Sequence, residues 1–488
     1  MRKAFSRQQR LDCRNVLGVQ LNLDCRDEIV PILRALQQIY SQPELRQQIL
    51  NLVAQDVNQD ARDDIGREGM DYWQILVLAA VRLGCNLNYD KLQDLAEQHR
   101  ALRHIMGIGD WCEEQGFGWR RIRDNLCLLK PATIEQINHL VVAEGHDLQP
   151  EAAKQVRADS FVVETNIHWP TESTLIRDGV RKVMELCVLI ASRLTLPGWR
   201  QSEHLLKQVK QLSRNIERIA ARKGPQYQPR LKSEYRKLLR KSGKVTRRAQ
   251  QLLEQVEASP RLTVHPQLAQ LRIFLERTEQ VRSTARRRVL RGESVPNSEK
   301  LFSIFEPHTQ LYKRGKAGEP VQFGRLAMIY EDAAGFIAHW YLLGREEQDR
   351  EVVVPQTRLL QERLKGVIEE ASFDRGFHTP DNQRELAEIV ARPCLPKPGA
   401  KQAREQARQA TLSFRRARRR HAGVESAIGA LQAGNGLERS RDRSERGLER
   451  YLALGILGRN LHVLGKLLIA REAGQCEAAR SQRQTTAA

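Results

Sequence analysis

Residues 156–165 have the sequence Val-Arg-Ala-Asp-Ser-Phe-Val-Val-Glu-Thr and constrain the fold more than any other segment of the chain. β-Branched and aromatic residues occupy both alternating faces, without glycine or proline, and this pattern predicts a buried strand. Asp159 lies in the middle of that strand. Because an unpaired carboxylate is costly in apolar surroundings, Asp159 should have a partner or a metal ion. We expect a divalent ion that is shared with two acidic residues far downstream.

The charge of the chain points to a polyanionic partner. Its 488 residues suggest about three domains of roughly 150 residues each. A net charge of +21 and a pI near 9.9 favour nucleic acid over a membrane surface. A merely soluble basic protein is the alternative. The distribution of charge argues against it, because residues 201–300 contain 24 lysines and arginines, 9 glutamates and no aspartate, an excess of 15 positive charges.

The cysteines and the hydropathy predict a soluble cytoplasmic protein. The eight cysteines are scattered, with no Cys-x-x-Cys pair and no Cys/His cluster at zinc spacing, so we expect reduced core thiols. The first ten residues lack the apolar core of a signal peptide. The apolar stretches Ile75–Val81 and Cys187–Ala191 are too short to span a bilayer, and no membrane partner is expected.

Residues 1–150 are predicted to form a helical N-terminal domain. Apolar positions three and four apart recur in Ile29–Ile39 and Met70–Leu83, and basic residues are interleaved with them, as in Trp119–Arg123. Arrays of short helices with basic faces occur in DNA-binding modules and in plain helical domains alike. The segment shows no clear helix-turn-helix pattern, so both interpretations stay open.

Residues 178–299 are predicted to form a basic helical insertion. Its cations recur at helical spacing and could neutralise phosphates along a groove of DNA. The alternative is a solvated coiled-coil face, but such faces usually mix charges of both signs. Arg282 belongs to the same clusters. Together with a later basic run, the candidate DNA contacts are Arg236, Lys237, Arg240, Lys241, Arg247, Arg248, Arg286, Arg287, Arg418, Arg419 and Arg420.

The pattern changes after residue 300. Strands are predicted at Leu301–Phe305, Val321–Tyr330 and Phe336–Leu342, the last two joined by a hairpin turn. Helices are predicted at Val354–Gly366, after the capping pair Thr379-Pro380, from Gln402 to about Leu431, and at Tyr451–Leu468. The polar tail, 471–488, is expected to be disordered. Residues 151–177 and 300–470 therefore predict an α/β core with a mixed sheet, which the helical insertion interrupts.

Three acidic residues are distinguished by their placement. Asp159 lies in the first core strand, Asp374 at the carboxyl end of a second candidate strand, and Glu425 beside the apolar stripe of a late helix. Two divalent ions a few ångströms apart can activate a water or a 3′-hydroxyl and stabilise the leaving oxygen in phosphodiester transfer. Mg²⁺ needs few carboxylates, because phosphate oxygens and water complete its octahedron. Spacing alone is a weak signal, since 59 acidic residues offer many triples.

Other polar residues have ordinary explanations. Glu164 lies five residues from Asp159 and should face the opposite side of a regular strand. Asp332 falls in the predicted hairpin turn, where aspartate is common. Four further residues could contact DNA, water or phosphate near the carboxylates, or could equally be structural: His168, Trp169, His378 and His421.

Three segments resemble bacterial insertion-sequence transposases of the DDE class, which have an RNase H-like catalytic core. The first is 156–173, in which the predicted strand is followed by Asn-Ile-His-Trp-Pro-Thr-Glu-Ser. The second is Ser-Phe-Asp-Arg-Gly-Phe-His-Thr-Pro-Asp-Asn at 372–382. The third is Arg-Arg-Arg-His-Ala-Gly-Val-Glu-Ser-Ala-Ile-Gly-Ala-Leu at 418–431, continued at 436–440 and 457–461. The N-terminal helices and the insertion fit this family less specifically.

The resemblance implies that Asp159, Asp374 and Glu425 bind Mg²⁺, with Mn²⁺ as a substitute and two ions expected. In the family such a triad supports hydrolysis at the ends of the element and joining of the 3′-hydroxyl to target DNA. Terminal inverted repeats, target DNA and further copies of the chain in a synaptic complex are the implied partners. Many relatives carry a Tyr/Arg/Lys signature around the glutamate, but Gln432 stands where the lysine would be sought. A catalytically inactive DNA-binding descendant and a structure-specific nuclease on the same core are the alternatives.

Overall fold

The computed structural model describes residues 2–5, 11–58, 69–111, 116–257, 266–313, 321–399 and 402–486. The chain divides into two compact units, one made of Met1–Glu164 with Arg325–Ala488 and the other of Thr165–Gly324. The structure is mostly helical and contains a curled mixed sheet, in agreement with the predicted α/β class.

The elements follow one another in a simple order. The amino-terminal part contains α1 (Ile29–Ser41), α2 (Pro43–Asn58), α3 (Tyr72–Gly84), α4 (Tyr89–Gln98), α5 (Arg100–Ile105), α6 (Trp119–Leu126), α7 (Pro131–Leu148) and β1 (Gln155–Thr165). The middle part contains α8 (Glu172–Arg193), α9 (Ser202–Arg222), α10 (Tyr227–Glu257), α11 (Pro266–Ala285) and β2 (Gln310–Tyr312). Then come β3 (Gln322–Asp332), β4 (Ile337–Leu342), α12 (Asp349–Arg363), β5 (Glu370–Phe373), α13 (Pro380–Ile389) and β6 (Arg392–Cys394). The last elements are α14 (Ala403–Ala410), α15 (Leu412–His421), α16 (Val424–Gly429), β7 (Arg439–Ser440) and α17 (Glu445–Thr486).

The sheet is organised around β1. Strand β3 is its neighbour on one side and β5 on the other, with β6 beyond β5, while β4 pairs with β3 and β7 with β1. The β1–β5 and β5–β6 pairs are parallel, and the β3–β4 hairpin is antiparallel. The hairpin predicted at 321–342 is therefore confirmed. The three-residue β2 pairs with the start of β3, at Gln322–Gly324.

Helix α17 is the core helix of the first unit. It packs against α1, α3 and α7, and most side chains from Leu448 to Leu468 are buried. Gly458 and Gly465 allow this approach, because a Cβ on either residue would collide with the backbone of α3 or of α1. The helices predicted as a separate domain at 1–150 thus share one hydrophobic core with the carboxyl-terminal part of the chain.

Among the described residues, the segment Glu445–Gln475 of α17 is long and apolar enough to cross a membrane, with a mean hydropathy of 1.4 over its most apolar window. However, 72% of that window is buried inside the unit, as in the core helix of a soluble protein. Sequence analysis named only shorter apolar stretches, because Arg459 and Asn460 interrupt this one.

Buried polar contacts fix α17 in place. Asn460, which is fully buried, accepts a hydrogen bond from the backbone nitrogen of Ile337, 2.8 Å away, and donates to the carbonyl of Ile337 and to Asn138 of α7. Arg82 of α3 is also fully buried and pairs with Asp442, with 2.6 Å between Nη2 and Oδ1. These contacts satisfy the side chain of Asn460 and pair the guanidinium of Arg82, whereas Nε of Arg82 and Nδ2 of Asn138 are buried without a hydrogen-bond partner.

The second unit is a helical bundle. Helices α8 to α11 bury one cluster of apolar side chains, which includes Ile176 and Met184 of α8. Because α8 contributes to this core, the unit begins at Thr165 and ends at Gly324, whereas the predicted insertion covers 178–299. The strand predicted at Leu301–Phe305 is wrong, because this stretch has no regular secondary structure. Its residues Leu301 and Ile304 instead pack in the bundle core.

Two further predictions differ from the structure. The helix predicted from Gln402 to Leu431 is divided into α14, α15 and α16, because Thr411 caps a new start and Gly423 precedes another. The tail predicted to be disordered at 471–488 continues α17 as far as Thr486, and its alanines, glutamates, arginines and glutamines are good helix formers. Residues 487 and 488 lie outside the described part. The six cysteines whose side chains the structure describes are free thiols, as predicted, but only Cys187 and Cys394 are buried in a core, and Cys25 is exposed.

We predict that Asp442→Asn lowers the free energy of unfolding by about 3 kcal/mol, because the substitution leaves the buried charge of Arg82 without its carboxylate. Urea denaturation followed by circular dichroism measures the change. Asp381→Asn is the matched control, because Asp381 pairs with Arg384 on the surface and its loss should cost less than about 0.5 kcal/mol. Equal effects of the two substitutions would contradict the role assigned to Asp442.

Candidate functional site

The sheet brings Asp159 and Asp374 side by side. In the parallel pair of β1 and β5, Arg157 is the partner of Ser372 and Ala158 is the partner of Phe373. Asp159 and Asp374 each follow the last of these pairs, and Asp374, just beyond the end of β5, keeps an extended backbone (φ −71°, ψ 157°). Neighbouring strands lie about 4.8 Å apart and partners in register point to the same face. The two carboxylates, more than two hundred residues apart in sequence, therefore lie near each other, Asp159 within β1 and Asp374 just after β5.

The junction of α15 and α16 lies over the face of the sheet that carries these carboxylates. Arg157 is two residues before Asp159 and shares its face. Its Nη1 donates to the carbonyl of Arg420 at 2.9 Å, and its Nε pairs with Glu331 of β3 at 2.5 Å. The guanidinium of Arg420 in turn forms an ion pair with Glu370 of β5. Arg157 of β1 and Glu370 of β5 thus both hold the end of α15 through Arg420.

His421 connects this junction with the carboxylates. Its ring hydrogen-bonds to the backbone of Ser372, so it lies beside the end of β5. Burial lowers the pKa of His421 below its usual value, whereas the nearby carboxylates of Asp374 and Glu425 oppose this shift. Glu425 lies in the first turn of α16 and is exposed. The third carboxylate is therefore within electrostatic reach of the imidazole that Asp374 also influences.

The three carboxylates are more accessible than the sequence suggests. Asp159 is half-buried, and both Asp374 and Glu425 are exposed. The strand is buried on both faces only from Ser160 to Val163, so the prediction that Asp159 sits in fully apolar surroundings is wrong. Within the described ranges, no group of three or more histidine, cysteine, aspartate or glutamate side chains is arranged to hold a metal ion. Asp159 and Asp374 each directly follow paired residues of β1 and β5, and Asp374 and Glu425 both act electrostatically on His421.

The lesser candidates have structural partners. Glu164 forms an ion pair of 2.7 Å with Arg439 of β7. Asp332 accepts hydrogen bonds from the backbone nitrogens of Ala334 and Phe336, which is turn chemistry as predicted, and also contacts His146 at 2.7 Å.

The histidines and the tryptophan named with them divide between the two units. In the first unit, His378 contacts Gln383 at 3.0 Å. In the second unit, His168 lies 3.4 Å from Asp178, and Trp169 makes an edge contact with Phe323 while 65% of its surface is exposed.

Arg157 and Glu331 are the residues of this region that sequence analysis overlooked. Arg157 could have been found, because it lies at i−2 from Asp159 on the strand and therefore on the same face. Glu331 could not, because its pairing with Arg157 depends on the order of strands in the sheet.

Helix α10 presents a cationic face. Its buried residues, among them Tyr235, Leu239, Ser242 and Thr246, lie on one side. Arg236, Arg240, Lys244 and Arg247 are exposed, and their spacing places them on the other side, in a row about 16 Å long. We call these four residues the α10 row. No ion pair with an acidic side chain involves this row in the part of the chain that the structure describes.

Several other predicted DNA contacts are engaged within the protein. Lys237 pairs with Glu234, Lys241 with Gln208, Arg248 with the carbonyl of Gly198 and the ring of Trp199, and Arg287 with Glu293 and Glu299. Arg282 is buried and bonds to α10 side chains, so its assignment to a DNA-binding cluster is wrong. Arg420 is tied to Glu370, as described above. The remaining candidates are exposed: Arg286, Arg418 and Arg419.

Comparison with known proteins identifies no relative of this chain. Neither the protein-family models, nor the curated proteins, nor the solved structures contain a match to this chain.

We predict that Arg157→Met lowers the free energy of unfolding by about 2–4 kcal/mol, because it leaves the buried carboxylate of Glu331 without its arginine. Adding Glu331→Met should recover most of this loss, since apolar residues often replace a buried ion pair at little cost. Urea denaturation of both single variants and the double variant measures the coupling. If the two effects simply add, the pair does not hold the junction as described.

Proposed function

We propose that this chain is a DNA transposase of the DDE class, in which an RNase H-like core cleaves the ends of an insertion sequence and joins the 3′-hydroxyl to target DNA. The observation that carries this proposal is that Asp159 and Asp374 directly follow Ala158 and Phe373, which are partners in two parallel strands. The sheet supports it further, because its central strand carries the first carboxylate and has an antiparallel hairpin on one side and two parallel strands on the other.

The donor set suits Mg²⁺, with Mn²⁺ as a substitute. Asp159, Asp374 and Glu425 are oxygen donors, as hard divalent cations prefer, and their exposure leaves room for phosphate oxygens and water as additional ligands. Two bound ions would supply activation of the attacking water or hydroxyl and stabilisation of the leaving oxygen.

The residues around the carboxylates position them and the DNA. Asp159 and Asp374 are fixed by the pairing of β1 with β5. Arg157 holds the end of α15. This contact therefore fixes the position of α16, whose first turn carries Glu425. Arg418 and Arg419 are exposed in the last turn of α15, where their charges can bind the phosphate backbone of the DNA that reaches the site.

The basic second unit supplies an additional DNA contact in this proposal. The α10 row has four exposed cations without acidic partners among the described residues, as expected of a surface that neutralises phosphates. Terminal inverted repeats and target DNA are the proposed partners, in a synaptic complex of several copies of the chain in the bacterial cytoplasm. Short inverted repeats that flank the reading frame would support this function directly.

Two other functions compete with this one. A DNA-binding protein that has lost catalysis would bind the inverted repeats without nicking them. A structure-specific nuclease on the same core would cut but would give no strand-transfer product from a pre-cleaved end. The presence of all three acidic residues favours an active enzyme over the first alternative.

We predict that Asp159→Asn, Asp374→Asn and Glu425→Gln each reduce Mn²⁺-dependent nicking of a duplex carrying the flanking repeats by at least a hundredfold, while DNA binding persists. Each change removes one negative oxygen donor without changing side-chain size. Glu164→Gln, on the same strand but paired with Arg439, should nick DNA like the wild type. Gel assays of nicking and binding measure both properties. If wild type and Asp159→Asn behave alike, the enzymatic proposal fails.

We predict that replacing all four residues of the α10 row by glutamine weakens the salt dependence of DNA binding. The slope of the logarithm of the DNA association constant against the logarithm of the salt concentration should become less steep by about 3 to 4, because roughly one counterion is released per phosphate contact. Fluorescence anisotropy at several salt concentrations measures the slope. Arg181→Gln with Lys182→Gln is the control, because both cations pair with Glu185 on α8. An unchanged slope in the fourfold variant would show that this face does not contact DNA.

A further inference from the structure

A cavity of about 420 Å³ lies in the first unit, at the amino ends of β1 and β5. The candidate carboxylates lie at the opposite, carboxyl end of β5. One wall of the cavity is a face of α7, formed by His139, Val142, Ala143 and His146 at helical spacing. Its volume is within the usual range for sites that bind small molecules.

Arg363, near the end of α12, is the main charged group of the opposite wall. Its Nη1 donates to Nε2 of His139 at 2.5 Å and to Nδ1 of His339 at 3.4 Å, and its Nη2 donates to the carbonyl of Ala338. All of these acceptors are uncharged. In the described part of the chain Arg363 forms no ion pair with a carboxylate, although Glu135 is near enough to oppose the lowering of its pKa by burial.

The two histidines cannot neutralise this charge. Each accepts a hydrogen bond from Arg363, which requires an unprotonated ring nitrogen, and His339 uses its other nitrogen to donate to Gln356 at 2.8 Å. Burial lowers the pKa of His139 to about 3 and that of His339 to about 4, and Arg363 strengthens both shifts. At neutral pH the guanidinium is thus a partly buried cation whose direct hydrogen-bond partners are neutral, while the nearby carboxylate of Glu135 forms no direct ion pair with it among the described residues.

The remainder of the lining is largely apolar. Val142, Ala153, Leu364 and Val367 line the cavity, and Lys365 adds a second cation next to Arg363. Asp147 also lines it, and His146 is engaged with Asp332. The cavity therefore combines an apolar surface with one cationic corner formed by Arg363 and Lys365.

We propose that this cavity binds a small organic carboxylate with an apolar body, whose carboxylate pairs with Arg363 and Lys365. The apolar body packs against Val142 and Val367. The ligand supplies the directly bonded carboxylate that Arg363 lacks among the described residues, and it buries apolar surface at the same time. This site is separate from the proposed DNA chemistry and does not depend on it.

Isothermal titration calorimetry of the full chain with octanoate tests the proposal, with 1-octanol as the uncharged probe of equal length. We expect octanoate to bind with one-to-one stoichiometry and 1-octanol to bind at least tenfold more weakly. No binding of octanoate at millimolar concentration, or equal affinity for both probes, would overturn the proposal.

Three variants locate the site. Arg363→Gln should weaken octanoate at least tenfold, and Ala143→Trp should abolish its binding by filling the cavity from the surface of α7. Arg358→Gln, which removes an exposed cation of the same helix, should leave the affinity unchanged. Ala143→Trp keeps the test decisive if Arg363→Gln does not fold. Unchanged affinity in Ala143→Trp would show that octanoate binds elsewhere.

Discussion

The parallel pairing of β1 with β5 is the contact on which the candidate site depends. It sets Asp159 beside Asp374, and it aligns Arg157 and Ser372, which hold the end of α15 and the ring of His421 over the same face. A slip of the register by one residue would turn one carboxylate to the other side of the sheet. The polar contacts of this face therefore fix a single register of β1 against β5 and a single placement of the α15–α16 junction.

Helix α17 has the same importance for the rest of the first unit. It completes the apolar core of the amino-terminal helices, and its buried Asn460 satisfies both backbone groups of Ile337 in β4. The helices at 1–150 consequently depend on a segment from the other end of the chain. Sequence periodicity shows that such helices have an apolar face, but it does not show which partner covers that face.

Local signals predicted the local structure well. The β3–β4 hairpin and the Thr379 cap follow from turn chemistry and capping, which involve residues close in sequence. The partners of charged residues were not predictable in this way. Arg282 belongs to a basic cluster in the sequence, yet in the fold it is buried and bonded to Ser242 and Thr246 of a neighbouring helix. Glu331 likewise acquires its role only from the order of the strands.

The central claim is that Asp159 and Asp374 act together on one divalent-ion site. Titration of Mn²⁺ into the wild type, Asp159→Asn, Asp374→Asn and the double variant, followed by electron paramagnetic resonance, tests it most directly. If the two carboxylates share ions, either single substitution should lose nearly as much Mn²⁺ affinity as the double variant. Additive losses of Mn²⁺ affinity in the double variant, or wild-type Mn²⁺ affinity in all variants, would contradict a shared ion site.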